Sequence, residues 1–150
     1  MSDVAIRLRT MQIRFVASVS TISPDPGATQ QFLRGLGVPL DEGDDGYQFT
    51  TALDGLKHLG VWPLADAALS CFGTSEWPAE HPVPQASIEF EVPDVEVAVQ
   101  ELLGKGYTLL HGTRLEEWGQ TTARLQSPEG LLIGVVVTPW MNEDGAAAEG

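Results

Sequence analysis

Residues 18–40, SVSTISPDPGATQQFLRGLGVPL, lie without a gap on residues 87–109, SIEFEVPDVEVAVQELLGKGYTL, at a constant separation of 69. Eight of the 23 aligned pairs are identical: Ser18/Ser87, Pro24/Pro93, Asp25/Asp94, Gln31/Gln100, Leu33/Leu102, Gly35/Gly104, Gly37/Gly106 and Leu40/Leu109. Ordinary composition gives about one or two identities by chance. Two unrelated helices would share Pro-Asp starts and Gly stops, but not a common register. The chain therefore reads as an internal duplication.

Each copy has the same local logic. Ile13, Phe15, Ala17 and Val19 alternate with more polar neighbours, and Ile88, Phe90 and Val92 alternate with Ser87, Glu89 and Glu91, the two-residue period of a strand with one apolar face. Asp25 and Asp94 stand at helix N-cap positions, followed by Pro26 at the first helical position in one copy and acidic Glu96 in the first turn of the other. Val95, Ala98, Val99, Leu102 and Leu103 form a stripe at helical spacing, which Gly104 and Gly106 end. After each helix comes a predicted hairpin. Tyr47–Thr51 and Leu56–Trp62 flank Asp54-Gly55, and Thr121–Gln126 and Leu131–Val137 flank Pro128-Glu129-Gly130.

Outward from the repeat, the reading gives a first module over about 11–63, a linker over 64–84, a second module over about 85–139 and a flexible tail over 141–150. Residues 65–72 suit a short helix, and 77–84, rich in proline, suit an extended connection. The fold class expected is α+β: two tandem βαβββ modules in a cupped mixed sheet. The helices cover the apolar faces, and the more polar faces turn toward a shared central cleft.

Composition bounds the rest. A chain of 150 residues, 43% hydrophobic, supports one core rather than two. Its net charge of −13 disfavours nucleic acid and anionic membrane surfaces as partners. Part of that charge lies in residues 41–46 and in the tail, both read as solvated loop. With no apolar run long enough for a membrane span or a leader, the expected location is cytoplasmic. Cys71 has no cysteine partner and reads as a small buried hydrophobe.

The order of elements, the segment Ile88-Glu89-Phe90-Glu91-Val92-Pro93-Asp94-Val95, and Trp118-Gly119-Gln120 running through Arg124 to Ser127-Pro128-Glu129-Gly130 resemble the glyoxalase/bleomycin resistance/dioxygenase (vicinal oxygen chelate) superfamily over Met11–Pro139. The resemblance implies four metal-ligand positions, which fall here on Ser18, Gly60 or Leu59, Ser87 and Gly134. Divalent metals in such sites need imidazole or carboxylate donors, so the expectation is no metal and no other cofactor. Family members also commonly dimerise, which implies a homodimer.

Strand parity nominates His58, Trp62, Ser87, Glu89 and Glu91 for the cleft, with Trp118 and Arg124 from the second module. His81 and His111 read as surface residues, and Arg14 and Arg124 as partners either of an anionic ligand or of Glu89 and Glu91. The function expected is metal-independent binding of a small molecule, cationic or aromatic, in the manner of bleomycin-resistance proteins. Two alternatives stand beside it. One is a superfamily lyase, isomerase or dioxygenase using a relocated metal at His58, Glu89 and Glu91, or carboxylate acid–base chemistry. The other is a protein-interaction module.

Overall fold

A computed structural model describes residues 11–142. The first ten residues, read above as lacking a leader, and most of the acidic tail, 143–150, lie outside the described residues. Strand β1 (Phe15–Ser23), helix α1 (Pro26–Leu36) and strands β2 (Asp41–Glu42), β3 (Gln48–Thr50) and β4 (Leu59–Pro63) make the first module. Helix α2 (Leu64–Phe72) stands between the copies. Strand β5 (Ala86–Glu91), helix α3 (Val95–Gly104) and strands β6 (His111–Leu115), β7 (Thr121–Gln126) and β8 (Leu132–Val137) make the second, and a 3-10 turn follows at Pro139–Met141. The sequence of elements is βαβββ twice, as the repeat requires.

All eight strands form one mixed sheet in the order β2-β3-β4-β1-β5-β8-β7-β6. β1 runs parallel to β4 and β5 parallel to β8, while β1 and β5 meet antiparallel at the centre. Ser18 lies opposite Glu89 and Ser20 opposite Ser87 across that seam, so residues 69 apart in sequence exchange places about a local two-fold. The helix caps follow the sequence closely. Asp25 accepts from the Ala28 N–H at 3.2 Å and Asp94 from the Val97 N–H at 3.1 Å. Gly37 ends α1 at φ 99°, a conformation open to glycine at little cost.

Helices α1 and α3 lie on one face of the sheet and α2 on the other. Under α3, Val92, Val95, Ala98, Val99 and Leu102 pack on Ala123 and Val135. Under α2, Ala67 and Cys71 pack on Ile22 and Leu132, with Trp62, Phe72 and Trp77 around them. Each buried Val, Leu or Ile side chain here contributes about 1.5–3 kcal/mol relative to exposure.

Three expectations change. The first strand begins at Phe15, leaving Ile13 48% exposed, and a bulge falls between Val16 and Ser18. The extra residue reverses strand parity. Phe15 therefore pairs with Glu91 and joins Ser18 and Ser20 on the α2 side, instead of lining the helix-covered face. Second, Asp41–Glu42 is an edge strand paired with Phe49 and Gln48, not loop; its exposed carboxylates keep the sheet edge charged. Third, the polar face of β5 is the more deeply buried one. Ser87, Glu89 and Glu91 are 2%, 7% and 0% exposed, whereas Ile88 and Phe90 are half-buried between the helices. The cup is thus largely filled by its own side chains, because α2 and the long side chains of β7 reach across it.

Candidate functional site

Register alone assembles the centre of the concave face. His58, the residue before β4, lies in one row with Ser18, Glu89, Gly134, Arg124 and His111 of β1, β5, β8, β7 and β6. Gly60, Ser20, Ser87 and Leu132 form the next row. Glu89 sits at the middle. Its Oε1 accepts from the Ser18 hydroxyl at 3.1 Å and the Gln120 amide at 3.0 Å, and its Oε2 accepts from Arg124 Nη2 at 3.1 Å. Both oxygens are therefore engaged.

The second module's half of the face is a connected polar network centred on Arg124, whose buried Nε has no partner. Arg124, fully buried, donates from Nη1 to Glu116 at 2.8 Å and to the Ser70 hydroxyl of α2 at 2.7 Å. Glu116 also accepts from Thr122 at 2.7 Å and Ser70 at 3.0 Å. Burial works to raise the Glu116 pKa, but the Thr122, Arg124 and Ser70 contacts outweigh it and hold the carboxyl below its usual value. The Arg124 guanidinium centre stands 5.1 Å from the Trp62 ring centroid, a cation–π contact.

His111, expected on the surface, is buried at the start of β6. Its Nδ1 lies 2.7 Å from the Gly112 carbonyl, which can only accept, so Nδ1 carries the proton. Nε2 then faces Arg124 Nη1 at 3.3 Å as a bare acceptor. Burial, together with the two neighbouring arginines, Arg124 and Arg114, depresses the His111 pKa to about 4 against the opposing Gly112 bond. The ring is a neutral structural acceptor. Cys71 packs in the apolar cluster under α2, where burial pushes its thiol up to about 11, so it is no nucleophile at neutral pH. His81 stacks on Phe72 at 5.3 Å, away from the network.

The first module's half is aromatic. Tyr47, Phe49 and His58 are pairwise 5.4–5.8 Å apart and within 12–15° of parallel. The three rings are therefore offset-stacked on one another as a compact aromatic cluster. Burial lowers the His58 pKa, Glu89 opposing, and His58 Nδ1 has no hydrogen-bond partner. Burial also raises the Tyr47 phenol well above its ordinary pKa.

Tyr47 explains a glycine. A Cβ at Gly60 would stand 1.9 Å from the Tyr47 hydroxyl oxygen and 2.8 Å from its Cζ, so the phenol occupies the space a side chain at 60 needs. Gly60→Ala is expected to cost about 1–3 kcal/mol of stability by displacing that ring. Chemical denaturation should show the loss shrinking when Tyr47→Leu is combined with it. Additive losses would show that the two sites do not compete for space.

The four positions implied for metal ligands do not fit a metal. Ser18 and Ser87 offer hydroxyls, Gly60 and Gly134 offer no side-chain donor, and a Cβ at Gly134 would meet Glu89 Cγ at 3.3 Å. The relocated set fits no better, because Glu89 is committed to Arg124, Gln120 and Ser18. Among the described residues no group of three or more His, Cys, Asp or Glu side chains is placed to hold a metal ion.

Of the nominated residues, His58, Trp62, Ser87, Glu89, Glu91 and Arg124 share the concave face, and Trp118 sits at the β6–β7 turn, half exposed, donating to Gln120 at 2.9 Å. Glu91 is distinctive. Its Oε2 accepts from the Thr138 N–H and the Asn142 amide, each at 2.7 Å, while Oε1 is buried with no partner. Arg14 is exposed and meets Glu91 only through its backbone N–H, 2.8 Å from the Glu91 carbonyl. Tyr47, Ser70, Glu116 and Gln120 were not anticipated. Nothing local separates buried Glu116 from exposed Glu117, and only the phase of the β6–β7 connection decides between them.

No protein-family model matches the chain, and no curated protein matches it. Among solved structures, a glyoxalase/bleomycin resistance protein/dioxygenase superfamily member from Vibrio splendidus 12B01 matches 86% of this chain and 100% of its own, at TM-score 0.51 and 17% identity. The chain has the fold of that superfamily. A second structure, described as an NAD-dependent benzaldehyde dehydrogenase from Legionella pneumophila, matches 80% of this chain and 96% of its own at TM-score 0.51 and 12% identity. Two such different descriptions on one architecture show that the likeness speaks to fold and not to chemistry. Among the described residues no helix is long and apolar enough to cross a membrane.

Proposed function

We propose that the protein binds a small organic cation on its concave face, without a metal, and holds it rather than transforming it. One observation carries this reading: the buried Glu91 carboxylate has an oxygen with no hydrogen-bond partner. The surrounding charge agrees with it. Glu89, Glu91 and Glu116 are buried on or beside this face against one buried arginine, Arg124, and the two histidines beside them have depressed pKa values, so the face carries surplus negative charge. A protonated amine would supply the missing donor and offset that charge. The stacked cluster of Tyr47, Phe49 and His58, each half-buried, offers aromatic surface for the rest of the ligand. Trp62 and Trp118 serve as fluorescent reporters on the face and at its rim. Entry requires the turn at Pro139–Met141, tethered to Glu91 through Thr138 and Asn142, to lift.

The test is tryptophan fluorescence and calorimetry with matched sets of small aromatic amines, alcohols and carboxylates. Saturable binding is expected for amines alone. Glu91→Gln keeps one oxygen for Thr138 and Asn142, and is expected to weaken amine binding by about 10–100-fold, the range of a hydrogen bond to a charged group. Equal binding of the neutral alcohols, or an unchanged affinity in the variant, would remove the reading.

A further inference from the structure

The two copies of the duplication differ where the last connection of each module passes the start of its first strand. In the second module that connection, residues 127–131 between β7 and β8, is short, and the linker closes over it. A Cβ at Gly130 would meet Pro82 Cβ at 3.3 Å, and the Gln126 amide donates to the Pro82 carbonyl at 2.9 Å. In the first module the connection from β3 to β4 is longer, residues 51–58, and the start of β1 leaves a gap beside it. A cavity of about 560 Å³ opens there, with Phe15 and Val16 on one side and Leu53, Leu56 and Lys57 on the other. Its volume and mostly apolar walls suit a small-molecule site.

Lys57 sets the polarity of this cavity. Its Nζ stands 4.6 Å from the Phe15 ring centroid, and among the described residues it forms no ion pair, in a chain with 21 acidic residues. Asp54, on the turn in the same wall, is exposed and lies beyond ion-pair distance of it. On its other side Phe15 lies directly opposite Glu91 across the β1–β5 seam, and the Cβ atoms of such pairs stand about 4.5–5.5 Å apart. One aromatic ring therefore separates a buried carboxylate that has a free oxygen from an ammonium without a carboxylate partner. We propose, on the basis of Glu91 holding an ammonium, that the ligand is a zwitterion lying along Phe15, with its amine at Glu91, its apolar body in the cavity and a carboxylate at Lys57. A plain amine answers only the Glu91 end. A diamine sets its second charge against Lys57, whereas an amino acid-like ligand satisfies both ends.

The experiment is calorimetric titration with phenethylamines that carry a carboxylate, a carboxamide or an aminomethyl group at the para position. The carboxylate is expected to bind tightest and the aminomethyl compound weakest, with the carboxamide between them. The ends should differ by roughly 3–30-fold, the combined effect of one exposed ion pair gained and one like-charge contact avoided. Lys57→Glu should invert the order and Lys57→Arg should keep it, and the spread should narrow as salt is raised. Each ratio is taken within one variant, so a general change in affinity or folding cancels. Three amines that bind equally, or an order unmoved by Lys57→Glu, overturn the zwitterion, and weakened amine binding in Glu91→Gln would then leave the role of Glu91 standing. Absence of binding by all three overturns both.

Discussion

Arg124→Met is expected to lower the unfolding free energy by about 3–5 kcal/mol, the largest effect of any single side chain on the concave face. The guanidinium is fully buried between Glu89 and Glu116, and among the described residues it is the one cation in contact with either carboxylate. Burial disfavours the charged guanidinium, but Glu89 and Glu116 more than offset that and raise its pKa. Removing it leaves two buried carboxylates whose remaining partners are neutral donors: Ser18 and Gln120 for Glu89, Thr122 and Ser70 for Glu116. The deficit should therefore belong to the stranded charges more than to the lost contact. Urea unfolding of Arg124→Met with Glu89→Gln and Glu116→Gln should recover most of it, since a neutral network of the same shape costs little. A single-variant loss below about 1 kcal/mol, or a triple variant no better than the single, would show that water reaches this network and screens it.

How much of this was legible in the sequence follows from where the information lies. The duplicated segment carries its own signals, N-cap Asp25 and Asp94 and the helix-ending Gly106, which act within a few residues, and the structure places each as read, while the strand alternation holds in β5 but not through β1. The nominated concave-face residues came from parity alone, which holds while a strand stays regular. Where the bulge after Val16 breaks that regularity, Phe15 moves to the other face, and no residue type announces it. Beyond the Arg124–Glu89 pair, one of the pairings expected above, the polar network was illegible for a different reason. Arg124, Glu116 and Ser70 come from β7, the β6–β7 connection and α2, so their meeting depends on α2 crossing the concave side. A charged residue buried by a distant helix looks, in sequence, like one in water. The same holds for Gly60, whose need for glycine comes from the Tyr47 side chain on a neighbouring strand.

The second large effect concerns acid. The ordinary His pKa of 6.5 is lowered to about 4 at His111 in the folded chain, because burial disfavours the charged ring and, more weakly, Arg124 and Arg114 repel it. The unfolded chain thus takes up a proton first as pH falls. Stability is fully present above about pH 6.5, is lost progressively toward pH 4, and is flat with respect to this group below that. The loss amounts to about 2 kcal/mol by pH 5. His58 acts in the same direction, since its pKa is also lowered by burial. Glu116 is held below its usual value of 4.5, so its contribution falls away only in stronger acid and leaves the upper window to the histidines. Unfolding free energies measured by urea at pH 7 and pH 5 should differ by that amount in the wild type. The difference should shrink in His111→Gln, whose amide keeps hydrogen-bonding capacity without titrating. Equal stability at the two pH values would mean that the imidazole is protonated inside the fold, with Arg124 displaced from Nε2.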